Sequence, residues 1–183
     1  MERVADPDQK TARFQAMVLP YLESAYNLAR WMTRNASDAE DIAQEAMLRA
    51  FRFLDGFRGE DARVWVLTIV RNTYLSWVQR QMPRQSSTEF DESLHTDIEA
   101  TLTPESHLLR QANVEQVRRA IEQLPPEYRE VILMRELEQM SYKEIAAVIQ
   151  CPLGTVMSRL SRARSMLRQL IAGGSRMEVR HHG

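Results

Sequence analysis

Apolar positions along this chain recur every three or four residues rather than alternately, a pattern that predicts helices throughout. Between Thr11 and Thr33, Phe14, Met17, Val18, Tyr21, Leu22, Ala25, Leu28, Ala29 and Met32 keep that spacing, with a break or a start expected at Pro20. Ser37 and Glu40 then form an S-x-x-E capping box, and Asp38, Glu40 and Asp41 put negative charge into the first turn of the next helix. Ala39, Ala43, Ala46, Ala50, Phe53 and Phe57 line its expected core side, where the alanines let a neighbour approach closely. A Gly-punctuated loop from Leu54 to Asp61 leads into a helix from Ala62 to about Gln81, ending before Pro83. Its buried stripe is Val66, Leu67, Val70, Tyr74, Trp77 and Val78.

The periodicity fades from Pro83 to Ser106, which reads as a linker, although Phe90, Leu94, Ile98 and Leu102 still recur every four residues. Val114, Val117, Ile121 and Leu124 mark a helix stopped by Pro125 and Pro126, and Tyr128 to Leu137 makes another with Val131, Ile132 and Met134 inside. Ser141 and Glu144 form a further capping box, so a helix starts at Tyr142, buries Ile145, Val148 and Ile149, and stops near Gln150. In CPLG, Pro152 blocks continuation and Gly154 is expected to take a positive φ, with Thr155 capping the last helix. There Val156, Leu160, Ala163 and Leu167 share one face, while Arg159, Arg162, Arg164 and Arg168 occupy the rest among Ser158, Ser161 and Ser165.

Two helices around a short turn, the second basic, have the shape of a major-groove reader: a helix fits the groove and arginine takes phosphate or guanine. A solvated hairpin with an Arg-rich face fits the same spacing. On the helix after Ser37, the outer residues Asp38, Asp41, Gln44, Glu45, Leu48 and Arg52 mix acids with a leucine that the core does not require. Such a surface suits a partner's basic helix, or is a plain solvated face. Trp65, Asn72, Ser76 and Gln79 share one side of the following helix, with Arg63, Arg71 and Arg80 nearby, a mixture suited to unpaired bases. Core residues with a solvated rim would look alike.

Charge changes the picture more than composition does. Hydrophobic content of 44% and charged content of 27% are ordinary for a globular protein. No apolar run is long enough to span a bilayer, the N-terminus carries no signal-like apolar region, and the single Cys151 builds no disulfide framework, so a cytoplasmic location is expected. A formal net charge of −1 is unusual for a protein that grips duplex DNA by itself. The charge is segregated, however: Pro83 to Glu105 carries six carboxylates against Arg84, whereas Pro152 to Ile171 carries four arginines and no acid. DNA contact is therefore expected to be local and supported by a larger partner. No nucleophile–base pairing, phosphate loop or metal cluster is legible, and His95, His107, His181 and His182 have no ligand spacing, so neither an enzyme nor a cofactor is expected.

Together the segments resemble the extracytoplasmic-function (ECF, group 4) branch of the bacterial sigma-70 family. The carrying residues are DAEDIAQEAMLRAFRFLDGFRG (Asp38 to Gly59), WVLTIVRNT (Trp65 to Thr73), LPPEYREVILMRELEQMSYKEIAAVI (Leu124 to Ile149) and CPLGTVMSRLSRAR (Cys151 to Arg164). The resemblance implies an all-α protein of two small helical domains joined by a flexible acidic linker. It divides the chain into an arm (1–10), sigma region 2 (11–82), the linker (83–106), sigma region 4 (107–172) and a tail (173–183). Region 2 is expected to dock on the β′ clamp of core RNA polymerase through Asp38, Asp41, Gln44, Glu45 and Leu48. It would capture the melted −10 element through Phe57, Arg58, Arg63, Trp65, Asn72 and Ser76, with Asn72 at the pocket for a flipped base. Region 4 would bind the β flap and read the −35 duplex through Thr155, Met157, Ser158, Arg159 and Arg162. Many relatives carry Lys or Arg where this chain has Met157, and a larger side chain where it has Ser161, so its −35 preference is expected to be its own. Control by an anti-sigma factor in response to stress is implied, and a free-standing helix-turn-helix regulator is the competing reading.

Overall fold

Pro20 decides how the chain begins. In the computed structural model, which describes residues 7–59, 61–81 and 114–178, helix α1 (Pro7–Met17) gives way to a 3₁₀ turn (Leu19–Tyr21) and then to α2 (Leu22–Thr33). Pro20 sits in the first turn of the 3₁₀ segment, where its missing N–H deprives no carbonyl of a partner. The segment read as an N-terminal arm thus contains the start of α1 from Pro7 onward. Helix α2 closes on Arg34 in a left-handed conformation (φ 60°).

Asn35, rather than Ser37, caps α3 (Ala36–Phe53): it alone has the extended backbone a cap needs, and its Oδ1 accepts the Asp38 N–H at 3.0 Å. Ser37 is already inside the helix, which overturns the expected Ser37–Glu40 box. Ala39, Ile42, Ala43, Ala46 and Ala50 are buried as the alanine stripe predicts. Phe53 is not: it is 59% exposed, because the chain tightens into a 3₁₀ turn (Leu54–Gly56) and Leu54 fills the core in its place. Helix α4 (Ala62–Gln81) starts where Asp61 Oδ1 accepts the Val64 N–H at 3.1 Å, and it buries Val66, Leu67 and Val70 against α2 and α3.

The second half comprises α5 (described over 114–122), α6 (Pro126–Ile132), α7 (Tyr142–Ile149) and α8 (Leu153–Glu178). Pro126 opens α6 at a position that favours proline. The end of α6 widens into a π turn (Leu133–Leu137), so the segment read as one helix to Leu137 changes its winding over its last five residues. The Ser141–Glu144 capping box forms as expected. Past it, the turn departs from expectation. Gln150, not Gly154, takes the left-handed conformation (φ 53°), and no described glycine has a positive φ. With the chain already reversed there, α8 starts at Leu153, and Thr155 lies within its first turn, its N–H donating to the Pro152 carbonyl at 2.9 Å instead of capping the helix. The linker and the four histidines lie outside the described residues.

The two halves pack on each other: α7 lies on α4, α6 touches α2, and one apolar cluster runs through both. Around it is a set of charged crossings. Glu130, almost fully buried, accepts from Arg71 at 2.7 and 3.2 Å and from Arg159 on α8 at 3.3 Å. Arg63 of α4 pairs with the buried Glu138 at 2.7 Å and also donates to its carbonyl, while Arg34 donates to the Glu122 carbonyl. Arg129 is buried and donates to the Ile121, Glu122 and Leu124 carbonyls, satisfying the end of α5. Burial, and then the Arg34 charge, lowers its guanidinium to about 10, which leaves it protonated at neutral pH. Among the described residues no buried side-chain polar atom lacks a partner, which is what makes such burial tolerable.

Removing Glu130 strands two arginines at once. Glu130→Ala is expected to destabilise the protein by about 2 kcal/mol, below the cost of a wholly buried pair because Arg159 is partly solvated. Urea denaturation checks this, and an unchanged midpoint would remove Glu130 from the account.

Candidate nucleic-acid interface

Helix α8 is anchored by Val156, Leu160 and Ala163, all buried, so its remaining residues form the outward surface. Residues 100° apart along the helix divide that surface into two sides. Thr155, Ser158, Arg159 and Arg162 lie on one side and Met157, Ser161, Arg164 and Arg168 on the other. Ser158, Arg162 and Met157 are exposed, the last at 52%, and Thr155 is half-buried. Of the expected −35 residues, Arg159 pairs with Glu130 at 3.3 Å and the Ser158 hydroxyl donates to the Thr155 carbonyl at 3.0 Å. Arg164 pairs with Glu136 at 2.9 Å, with both side chains about half exposed. The basic face read from the sequence is thus less basic than its four arginines suggest.

On α4, Trp65, Asn72 and Ser76 fall on one side, with Asn72 exposed and the Ser76 hydroxyl donating to the Asn72 carbonyl at 2.9 Å. Phe57 meets them from the preceding loop. Its ring stacks on Trp65 with centroids 4.5 Å apart, and it is only 8% exposed. Gly59 permits this packing, since a Cβ there would lie 2.8 Å from the Phe57 ring. Helix α1 holds the loop through Arg13, which donates to the Phe57 carbonyl at 2.9 Å, and Lys10, which pairs with Asp55 at 2.6 Å. Arg58 is exposed on the loop. Arg63 points away from this group, toward Glu138. The structure therefore brings Phe57, Trp65, Asn72 and Ser76 to one side of region 2 and separates Arg63 from them.

On α3, Asp38, Asp41, Gln44, Glu45 and Leu48 share the face turned from the core. Leu48 is 57% exposed, and Glu45 pairs with Arg49 at 2.7 Å. Burial, and then repulsion from Asp41, holds the Asp38 carboxyl above its ordinary range. Met47 is half-buried against the core, and Phe51 on the next turn is partly covered by Phe14. An acidic rim around one exposed leucine remains.

Sequence reasoning missed Glu130 and Glu138, whose arginine partners lie 29 to 75 positions away. The one available signal was a carboxylate placed among inward-facing residues of an apolar helix. Among the described residues no group of three or more potential metal ligands occurs, and no helix is long and apolar enough to cross a membrane.

Comparison with known proteins bears on this geometry directly. Residues 17–84 match the sigma-70 region 2 family model and residues 114–167 match that of sigma-70 region 4. The RNA polymerase sigma-H factor of Pseudomonas aeruginosa is 38% identical over 177 residues, covering 91% of this chain and 89% of that protein. The ECF RNA polymerase sigma-E factor of Escherichia coli K12 is 36% identical over 175 residues, covering 91% and 90%. Among solved structures, the sigma factor RpoE in complex with the anti-sigma factor NepR from Bartonella quintana shares the fold at TM-score 0.72 and 24% identity, covering 87% of this chain and 96% of that one. CnrH in complex with the cytosolic domain of CnrY does so at TM-score 0.60 and 24% identity, covering 87% and 88%. Both regions in order, over nine-tenths of two sigma factors, leave the free-standing regulator unfavoured. The chain belongs to the extracytoplasmic-function branch of the sigma-70 family and is an RNA polymerase sigma factor.

Proposed function

We propose that this sigma factor divides promoter recognition between its two halves, with region 2 at 11–82 and region 4 at 107–172, and acts in the cytoplasm without catalysis of its own. The observation carrying the division is the pair of outward surfaces just described, one aromatic and amide-bearing on α4, one groove-shaped and partly basic on α8. Trp65, Asn72, Ser76 and Arg58 receive the melted −10 strand, where an opened duplex lowers the unstacking cost of presenting a base to the protein. Phe57 supports them from beneath by holding Trp65. The α3 face around Leu48 docks on the β′ clamp, and region 4 meets the β flap while α8 lies in the −35 major groove.

Arg63 cannot reach DNA while it is paired across the two halves with Glu138, whereas Arg159 is paired within region 4 with Glu130. The packed arrangement is accordingly assigned to the free protein, and polymerase parts the halves when it holds them at promoter spacing. This also accounts for function on DNA at a net charge of −1. Control by an anti-sigma factor is consistent with the same surfaces: the RpoE comparison structure holds the anti-sigma factor NepR, and an inhibitor that covered Leu48 would exclude polymerase.

Run-off transcription with purified core polymerase tests the reading. Promoter-specific transcripts are expected; their absence, with tight sequence-specific duplex binding by the protein alone, would overturn it. Asn72→Ala should lower discrimination between −10 sequences and leave core binding intact, measured by open-complex formation on −10 variants. Arg162→Ala should weaken −35 binding by about 1–3 kcal/mol if it meets a base edge. A uniform loss on all −35 sequences would make it a phosphate contact instead. Leu48→Ala should reduce affinity for core polymerase by on the order of tenfold in a competition assay, as removal of an apolar anchor does.

A further inference from the structure

The side of α8 that carries Met157 has its two arginines about two and three turns beyond that residue. Arg164, on the same stripe, is tied to Glu136 at 2.9 Å, and Arg168 lies at its far end. Before them on the helix come Met157, 52% exposed, and Ser161, also exposed, which together with Tyr142, Arg164 and Arg168 line a shallow hollow beside the helix-turn-helix. Met157 does not serve the core, which α8 reaches through Val156, Leu160 and Ala163. An exposed, flexible thioether in the second turn of a groove-facing helix, with a small serine one turn further on, leaves room for a base edge and offers it no charge.

Major-groove edges present one apolar group, the C5-methyl of thymine. We infer that Met157 is a specificity-determining residue that packs on a thymine methyl in the −35 element, with Ser161 giving the space for that approach. The inference rests on α8 being the −35 reader. It concerns what the helix reads rather than whether it binds. Guanine beside Met157 would meet a thioether where its O6 and N7 need a donor, the arginines of this side lying two and three turns further along the helix. Cytosine would present an amino group and no methyl.

The test uses reconstituted holoenzyme on a promoter selected from random −35 sequences. Each −35 thymine on either strand is replaced by deoxyuridine, which deletes the methyl and keeps every hydrogen-bonding group. One replacement is expected to weaken promoter binding about fourfold, the worth of one methyl at ~0.8 kcal/mol. With Met157→Ala holoenzyme the same replacement should have no effect. At that position 5-methylcytosine should bind better than cytosine to the unaltered protein and equally to the variant. Met157→Arg should exchange the thymine preference for guanine. A −35 element with no methyl-sensitive thymine, or a uracil penalty undiminished in Met157→Ala, overturns the inference while leaving the sigma assignment standing. A holoenzyme that makes no promoter-specific transcript defeats the −35 reading itself.

Discussion

The carboxylate of Glu130 is the point on which the arrangement of the two halves turns. It belongs to α6, lies almost fully buried, and is shared by Arg71 of α4 and Arg159 of α8. A charge so placed is stable only while its partners stay, so the apolar contact between α7 and α4 and the charged crossing around Glu130 depend on each other. Hydrophobic burial supplies the adhesion, and the ion pairs fix the register in which it occurs. Arg63 with Glu138 repeats the device at the other end of the same interface. Arg71 with Glu130 and Arg63 with Glu138 join α4 to acids of the opposite half, while Arg159 meets Glu130 from within its own half.

Much of the fold was legible because local rules were sufficient. The Ser141–Glu144 box, the break at Pro20, the alanine stripe of α3 and the stop near Gln150 are all written in neighbouring residues. Errors arose where two local signals competed. Asn35 and Ser37 both suit a cap, and backbone geometry chose the first; Gly154 and Gln150 both border the CPLG turn, and the chain turned at the second. Phe53 followed the helical period but left the core when the last turn tightened, so Leu54 took its place.

The candidate surfaces were legible as sets of residue types and not as states of those residues. Spacing placed Trp65, Asn72 and Ser76 on one side of α4, which the structure keeps. It could not show that Phe57 lies under Trp65, nor that two arginines counted toward a basic face pair with acids far away in sequence. Long-range electrostatics has no periodic signature, since a carboxylate pairs with whatever the fold brings near. Separating the halves would release Arg63 from Glu138, whereas Arg159 and Arg164 keep partners inside their own half.

That separation is the central physical claim, and the distance between region 2 and region 4 reports on it. With donor and acceptor dyes on exposed positions of α3 and of the outer side of α8, energy transfer should be high in the free protein and fall when core polymerase and promoter DNA are added. An unchanged distance in a holoenzyme that makes promoter-specific transcripts would contradict the account.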